Sequence, residues 1–447
     1  MGRTTDQTTR ALEGAWEVCD RWAKTRGVQF APQKTELIHF TRARRPLQQS
    51  VRIGGASAAP QDSARFLGVW LDRRLRWPAH LGQVRKKLRT QEFTLTRLAA
   101  STWGCSLARA RVLYTAVIRS AVAYGAAATF HQPSERGPVG VSRSLATQQN
   151  RCLRVITGAY RATPVRHLET EAGVLPLDLY LSKRLAVFEA RLEASGKGQL
   201  IKDVCAGLRH ALRQRRGRPR RQKPPSIEEG EGRAQWARRW VDSSPQEEPA
   251  EREWQTRWVA SLTAARARHD AVQARRPEAD RRRYRLEPAD IKPDFSKKAL
   301  AMHHGLRKHE STALTQIRTG RIGLKAFLHK CRVPDVLSPR CSCGQAEQTP
   351  VHLFAICSET KAERRRYLPD LRSPRDFETM SRSKDDAGRL ARWLLRLGRL
   401  RQFDLAERLR VEAGVGEEES DAARALTRRA GGARPANGRS RARQIDR

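Results

Sequence analysis

No stretch of about 18 apolar residues occurs in this chain, and its start, Met1-Gly-Arg-Thr-Thr-Asp-Gln, has none of the apolar centre of a secretory leader. The expectation is an intracellular protein, nuclear or cytoplasmic, with no membrane partner. Cysteine is sparse: eight in 447 residues, too scattered for a disulfide scaffold, with only the last group clustered. No P-loop, GxSxG or HExxH pattern is present, and no small-molecule substrate is evident. His80, His131, His167 and His210 have neither nucleophile nor metal spacing and read as ordinary surface or packed side chains. Apolar residues make up only 39% of the chain, and acids are outnumbered 47 to 88 by lysine and arginine, a net charge of +41. A compact body with that charge repels itself unless it meets a polyanion. RNA and DNA, held through phosphate contacts that weaken with salt, are the partners that fit. GC-rich coding would also enrich arginine without selection for binding, but the origin of the arginines does not change their field. The length allows two or three domains.

What is present is a small β element followed by helices. Residues 5–26 read as a helix capped by Asp6 and stopped by Gly27, with Leu12, Ala15, Trp16, Cys19, Trp22 and Ala23 on one face. Cys19 there reads as a small buried residue rather than a reactive thiol. Over 28–72 the pattern gives a turn at Pro32, a strand over 35–40, a strand over 51–53, a Gly54-Gly55 turn and a strand over 65–72 kinked at Gly68. From Pro78 the period becomes helical: Leu81, Val84, Leu88, Leu95 and Leu98 form a stripe, and Arg85, Lys86, Lys87 and Arg89 lie around the other side. Such a basic run is often no more than a solvated face. Further helices run from a Ser106 cap towards Gly125, over 142–157, over 165–172 behind a Thr163 cap with Pro164 as first helical residue, and from Pro176 through Leu192. The stretch 209–223 has eight basic residues and no acid, and an acidic patch at 228–231 follows it; this reads as a partly disordered linker. Residues 251–275 read as a helix whose Trp254 and Trp258 pack. Helix returns over 296–330 and again through Leu390, Trp393, Leu394, Leu397, Leu400 and Phe403, before an Arg-rich tail expected to be disordered.

The strongest chemical motif is Cys341-x-Cys343-x8-His352-x4-Cys357. Three thiolates and an imidazole complete a tetrahedral Zn²⁺ set, and with no open position such a site is structural. Gly344 permits the tight turn that a ligand pair needs. Cys331, ten residues upstream of Cys341, is an alternative ligand. Spacing alone leaves metal binding and ordinary thiols equally open.

Several blocks carry a family resemblance. Ala31-Pro32-x-Lys34-Thr-Glu-Leu-Ile-His-Phe40, followed by Phe66-Leu-Gly-Val-Trp-Leu-Asp72 with Leu75 and Trp77, resembles the end of the palm in non-LTR (LINE-type) retrotransposon reverse transcriptases. Ile156-Thr-Gly-Ala-Tyr-Arg-Ala-Thr-Pro164 resembles the segment after the thumb, and the Cys341–Cys357 group the C-terminal Cys-His motif, of the same polyproteins. The resemblance implies that the 66–72 block is a hairpin touching the primer strand and that the basic helix after it meets the duplex backbone. It also favours a zinc-knuckle-like centre. It places the Tyr-x-Asp-Asp catalytic turn before residue 1, and Asp385-Asp386 is a polar helix start rather than a displaced copy. Mg²⁺ therefore belongs to the full-length family enzyme. Lys34 stands where the family keeps a lysine that can protonate pyrophosphate, a role without meaning when the metal-binding carboxylates are missing. The RNase H domain that often follows the thumb has no strands or acidic set in 200–300.

The expected architecture is mainly α. It has an antiparallel palm remnant (1–78), a helical thumb and connection (79–200), a basic and acidic linker (201–290), a small helical domain with the Cys-His site (291–412) and the tail (413–447). The implied function is that of a truncated LINE-type reverse transcriptase that binds RNA or DNA without polymerising. Its phosphate contacts come from Arg85, Lys86, Lys87 and Arg89 and from Arg213, Arg215, Arg216, Arg218, Arg220 and Arg221 of the linker. The alternative is a domesticated nucleic-acid-binding or assembly protein, or a genomic relic.

Overall fold

The computed structural model describes residues 4–41, 45, 47–126, 140–200, 203, 249–275, 295, 297–405 and 408. Arg213, Arg215, Arg216, Arg218, Arg220, Arg221, the acidic patch, His131, His210, the tail and most of the stretch where RNase H strands were sought lie outside them. The described residues are mainly helical, with two small antiparallel sheets. They divide into two compact units, Met1–Ala100 with Gly104–Gly305, and Ser101–Trp103 with Leu306–Arg447.

The first unit opens with α1 (Thr5–Thr25), where Thr4 rather than Asp6 is the cap, its hydroxyl accepting from the Gln7 N–H at 3.3 Å. Of the expected apolar stripe only Ala23 is buried; Leu12, Ala15, Cys19 and Trp22 are exposed. The burial expected for Cys19 is thus overturned. The adjoining core is only Leu37, Val51 and Ile53, with Trp16 and Ala58 against it, too little apolar surface to cover the helix.

Strands β1 (Val51–Ile53) and β2 (Ala56–Ala58) pair across Gly54 and Gly55, whose φ values of +53° and +81° suit a two-residue hairpin turn. The strand expected over 35–40 does not form. Pro32–Lys34 is a 3₁₀ turn, and beyond it lies extended chain with one parallel bridge, Leu37 to Pro60. Pro60 has no N–H with which to continue a ladder. The kinked strand expected over 65–72 is instead a hairpin of β3 (Ser63–Phe66) and β4 (Val69–Asp72), as the resemblance implied. Its turn residues, Leu67 and Gly68, have φ of +46° and +82°. The Tyr124 hydroxyl donates to the Leu67 carbonyl at 2.6 Å, and the ring lies 3.1 Å from where a Cβ on Gly68 would stand.

Buried Asp72 ends that hairpin and turns the chain into a helix. Its carboxylate accepts from the N–H groups of Arg74, Arg76 and Trp77 at 2.6–3.2 Å. Helix α2 (Pro78–Leu98) buries Leu81, Val84, Leu88 and Leu95, each contributing about 1.5–3 kcal/mol by removing apolar surface from water. Leu98, expected in the stripe, is exposed at the last residue.

Helix α3 (Leu107–Leu113) starts at Ser106, as expected, and continues through an unforeseen π turn (Tyr114–Ile118) into α4 (Arg119–Ala123). The bundle is completed by α5 (Gly140–Thr157), α6 (Val165–Ala172) and α7 (Leu177–Ala194) around Leu88, Leu107, Tyr114, Leu145, Leu153 and Leu168. Pro164 proves to be the cap of α6 rather than its first residue, and no side chain caps that helix. Helix α8 (Pro249–Ala274) packs on α7 with Trp254 and Trp258 buried edge-on to Phe295. Arg257 of α8 bridges Asp178 at 2.5 Å and Glu253 at 2.7 Å.

In the second unit α9 (Lys308–Thr319) is buried along its whole length and packs on α13 (Ala387–Arg396). Between them come α10 (Lys325–Lys330), a π turn (His352–Ile356), α11 (Lys361–Tyr367) and α12 (Pro374–Arg382). Phe354 of the π turn stacks on Phe377 and tilts against Trp393, each at 4.9 Å. The single helix expected through Phe403 breaks: Gly398 takes φ +59°, and Phe403 is buried from a separate 3₁₀ turn. Asp386 pairs with Arg389 at 2.8 Å at the start of α13. Among the described residues no helix is long and apolar enough to cross a membrane.

Candidate metal centre and basic helix face

The fold brings the four spaced ligands together. One ligand atom from each of Cys341, Cys343, His352 and Cys357 lies within 4.8 Å of every other, so the group could hold a metal ion. Two local structures make this possible. Around the first pair the chain doubles back: the Cys341 N–H donates to Ala346, that of Gly344 to Cys341, and Arg340 bridges to Glu347. Gly344 takes φ +74°, the left-handed conformation that its place after Cys343 suggested. The second pair sits on the π turn. The Cys357 N–H donates to the His352 carbonyl at 2.7 Å, five residues back, which widens the turn until both side chains face the same point. Cys331 is exposed at the end of α10 and takes no place in the cluster.

Cys341 Sγ lies 3.8 Å from Cys357 Sγ, and Cys343 Sγ lies 3.1 Å from His352 Nε2. Burial, followed by the positive charge of nearby Arg364, holds the imidazole below its ordinary pKa, which favours the neutral ring that a metal ligand requires. Burial raises the Cys341 thiol against the Cys343 backbone N–H, which draws it down, and the Cys343 and Cys357 thiols add to the rise. At Cys343 a desolvation cost is outweighed by the N–H groups of Gln345 and Ala346 and the adjoining thiols, which draw it down. Thiols this close cannot all ionise without a cation between them. A dipositive ion held by these four side chains would resolve that conflict, and three sulfurs with one nitrogen suit zinc. Cys152 in the helical bundle is different: burial pushes its thiol up to about 12, an inert core residue.

An outer ring of side chains leaves no mark in the spacing pattern. Buried Arg364 donates from Nη1 to the carbonyls of Leu353 and Cys357 at 3.1 and 3.2 Å and to Thr360 Oγ1 at 3.2 Å. Glu359 accepts from the Ser342 hydroxyl at 2.6 Å and from Arg399 at 3.1 Å, and the Ser342 bond leads in holding its carboxyl below the usual range. The signal for Arg364 lay in one more arginine within Lys361-Ala-Glu-Arg-Arg-Arg-Tyr367, where burial cannot be told from charge alone.

Arg85, Lys86, Lys87 and Arg89 are all exposed on α2, opposite its buried stripe. Among the described residues none of them has an ion-pair partner; Arg85 donates to Ser144 Oγ at 2.8 Å. The tip of the β3–β4 hairpin, Phe66 and Leu67, is exposed as well. Lys34 stands exposed at the end of its 3₁₀ turn. The π turns and the αL hairpin at Leu67 also went unforeseen, since neither leaves a periodic mark.

With this geometry in place, the chain can be set beside known proteins. No family model matches it, and no solved structure matches it. It is 28% identical over 161 residues to the "Retrovirus-related Pol polyprotein from type-1 retrotransposable element R1 4" of Nasonia vitripennis, covering 36% of this chain and 40% of the relative. It is 25% identical over 192 residues to the corresponding R1 polyprotein of Bradysia coprophila, covering 41% of this chain and 18% of the relative. A second Nasonia vitripennis polyprotein, R1 3, is 24% identical over 214 residues, 45% of this chain and 55% of the relative. The chain is therefore related to the Pol polyproteins of R1-type non-LTR retrotransposons, and each match spans less than two thirds of its relative.

Proposed function

We propose that these residues act as the nucleic-acid-gripping portion of a LINE-type reverse transcriptase, binding RNA and DNA through phosphates. The observation that carries the reading is the row Arg85, Lys86, Lys87 and Arg89, exposed, without carboxylate partners among the described residues, and joined through Asp72 to the β3–β4 hairpin. Four cations on one helix present a surface for a phosphate backbone and carry no base information. Phe66 and Leu67 at the hairpin tip are exposed and would add apolar contact. The basic linker residues Arg213 to Arg221 add charge to the same task. Zn²⁺ at Cys341, Cys343, His352 and Cys357 would be structural and hold the second unit together.

Phosphoryl transfer needs carboxylates that clamp two metal ions, and these 447 residues contain no Tyr-x-Asp-Asp turn to supply them. By themselves they bind without extending a primer. The purified chain is tested on a primed RNA template with Mg²⁺. Binding is expected without extension, and changing Arg85, Lys86, Lys87 and Arg89 together to Ala is expected to weaken binding tenfold or more with an unchanged melting temperature. Any Mg²⁺-dependent extension refutes the catalytic half of the reading. Unchanged affinity in the quadruple variant refutes the binding half.

A further inference from the structure

Arg364 is 7% exposed, and among the described residues no carboxylate pairs with it. Its partners are two carbonyls and a hydroxyl, all neutral. A buried guanidinium without a counter-ion is costly, and proteins avoid the arrangement unless a negative charge lies close by. The carbonyls it holds are those of Leu353, next to ligand His352, and of Cys357, itself a ligand. The negative charge that answers Arg364 is thus to be sought in the Cys-His group.

We infer that Arg364 is the counter-ion of a metal–tris-thiolate centre, positioning the His352–Cys357 turn and offsetting the charge of the loaded site. The inference rests on the metal reading of Cys341, Cys343, His352 and Cys357. A dipositive ion bound by three thiolates and a neutral imidazole keeps one net negative charge. That charge is buried with Cys341 and Cys357, which are 4% and 0% exposed, and a buried charge needs a partner. Arg364 meets the need from the backbone side, where it donates to oxygens and leaves the sulfurs free for the ion. Its guanidinium also fixes the π turn: three acceptors, Leu353 O, Cys357 O and Thr360 Oγ1, converge on Nη1. Thr360 reinforces this by donating to Leu353 O at 2.9 Å. The two halves of the centre are therefore braced differently. Glu359 ties the Cys341–Cys343 turn through Ser342, and Arg364 ties the His352–Cys357 turn and balances the charge.

Charge and scaffold are separable by substitution. Arg364→Met removes both, whereas Arg364→Lys keeps the charge and loses the fixed placement of Nη1 among its three acceptors. Cys343→His makes a two-thiolate centre of no net charge, in which the counter-ion has no work to do. Zinc dissociation constants of the full-length chain and each variant are measured by competition with a chromophoric chelator, and Co²⁺ absorption reports the ligand set. Expected is a ten- to hundredfold weaker zinc site in Arg364→Met, the usual range for loss of an outer-shell partner. Arg364→Lys should lose less than Arg364→Met, with a wild-type Co²⁺ spectrum. In the Cys343→His background, Arg364→Met should cost less than half as much on a logarithmic scale. Equal zinc affinity in Arg364→Met and wild type overturns the inference, as does an equal penalty in both backgrounds or a Lys variant as weak as the Met one. If wild type itself holds no stoichiometric zinc by native mass spectrometry, the metal reading fails first and the inference falls with it.

Discussion

Arg85, Lys86, Lys87 and Arg89 stand in solvent around the exposed side of α2, whereas Cys341 and Cys357 lie at 4% and 0% exposure. The first group gathers charge without fixing geometry; its value lies in number and in having no carboxylate partner among the described residues. The second fixes geometry, with the backbone N–H groups of Cys341, His352 and Cys357 each held by a hydrogen bond. From this difference it follows that the two sites must fail in opposite ways. Damage to the basic face should cost affinity and leave the fold alone. Damage to the Cys-His group should cost the fold of its unit.

Metal removal gives the widest separation. Structural zinc contributes on the order of 10–16 kcal/mol in small peptides, so chelation should collapse the hydrogen-exchange protection of residues 339–368 while leaving α2 and α5 protected. Equal protection in the two regions with and without chelator would break the comparison. Phe354→Ala comes next. It empties a fully buried site between Phe377 and Trp393 and should cost about 3–5 kcal/mol in denaturant unfolding, with no effect on the salt dependence of nucleic-acid binding.

A smaller effect tests the bundle that carries α2. Burial, then Asp178, pushes the Glu169 carboxyl up to about 8, against Arg257 and Gln149, which lower it. The folded value lies above the ordinary 4.5, so the contribution of Glu169 to stability is complete below about pH 4.5 and is lost as pH rises towards 8. Glu169→Gln should therefore flatten the stability curve across that window and stabilise the chain at neutral pH. Parallel curves for variant and wild type would show that Glu169 ionises normally.

The same contrast explains what the sequence disclosed. Periodicity and donor spacing are written in residue types, so α2, its basic face and the Cys341–Cys357 set were legible in the residues alone. The Gly54-Gly55 turn was legible for the same reason, since glycine marks a positive φ. Leu67 adopts a positive φ with no such mark, and the hairpin it shares with Gly68 was visible in the residues only as a kink. The strand expected over 35–40 failed on a partner, Pro60, that local propensity does not consult. Cys19 shows the limit of helical patterning: an apolar stripe says that a face seeks cover, not that this chain provides it. Arg364 was hidden among neighbouring arginines because only tertiary packing decides which of them is buried.

The central claim is that the exposed cations of α2 grip phosphates, and its most direct test is the salt dependence of binding. Affinity for an RNA–DNA primer duplex is measured from low to moderate salt for the wild type and for the variant with Arg85, Lys86, Lys87 and Arg89 all changed to Ala. Each lost phosphate contact should reduce the slope of log affinity against log salt by about one, so the variant's slope should be shallower by roughly three to four. Equal slopes for the two proteins would contradict the account and remove α2 from the binding surface.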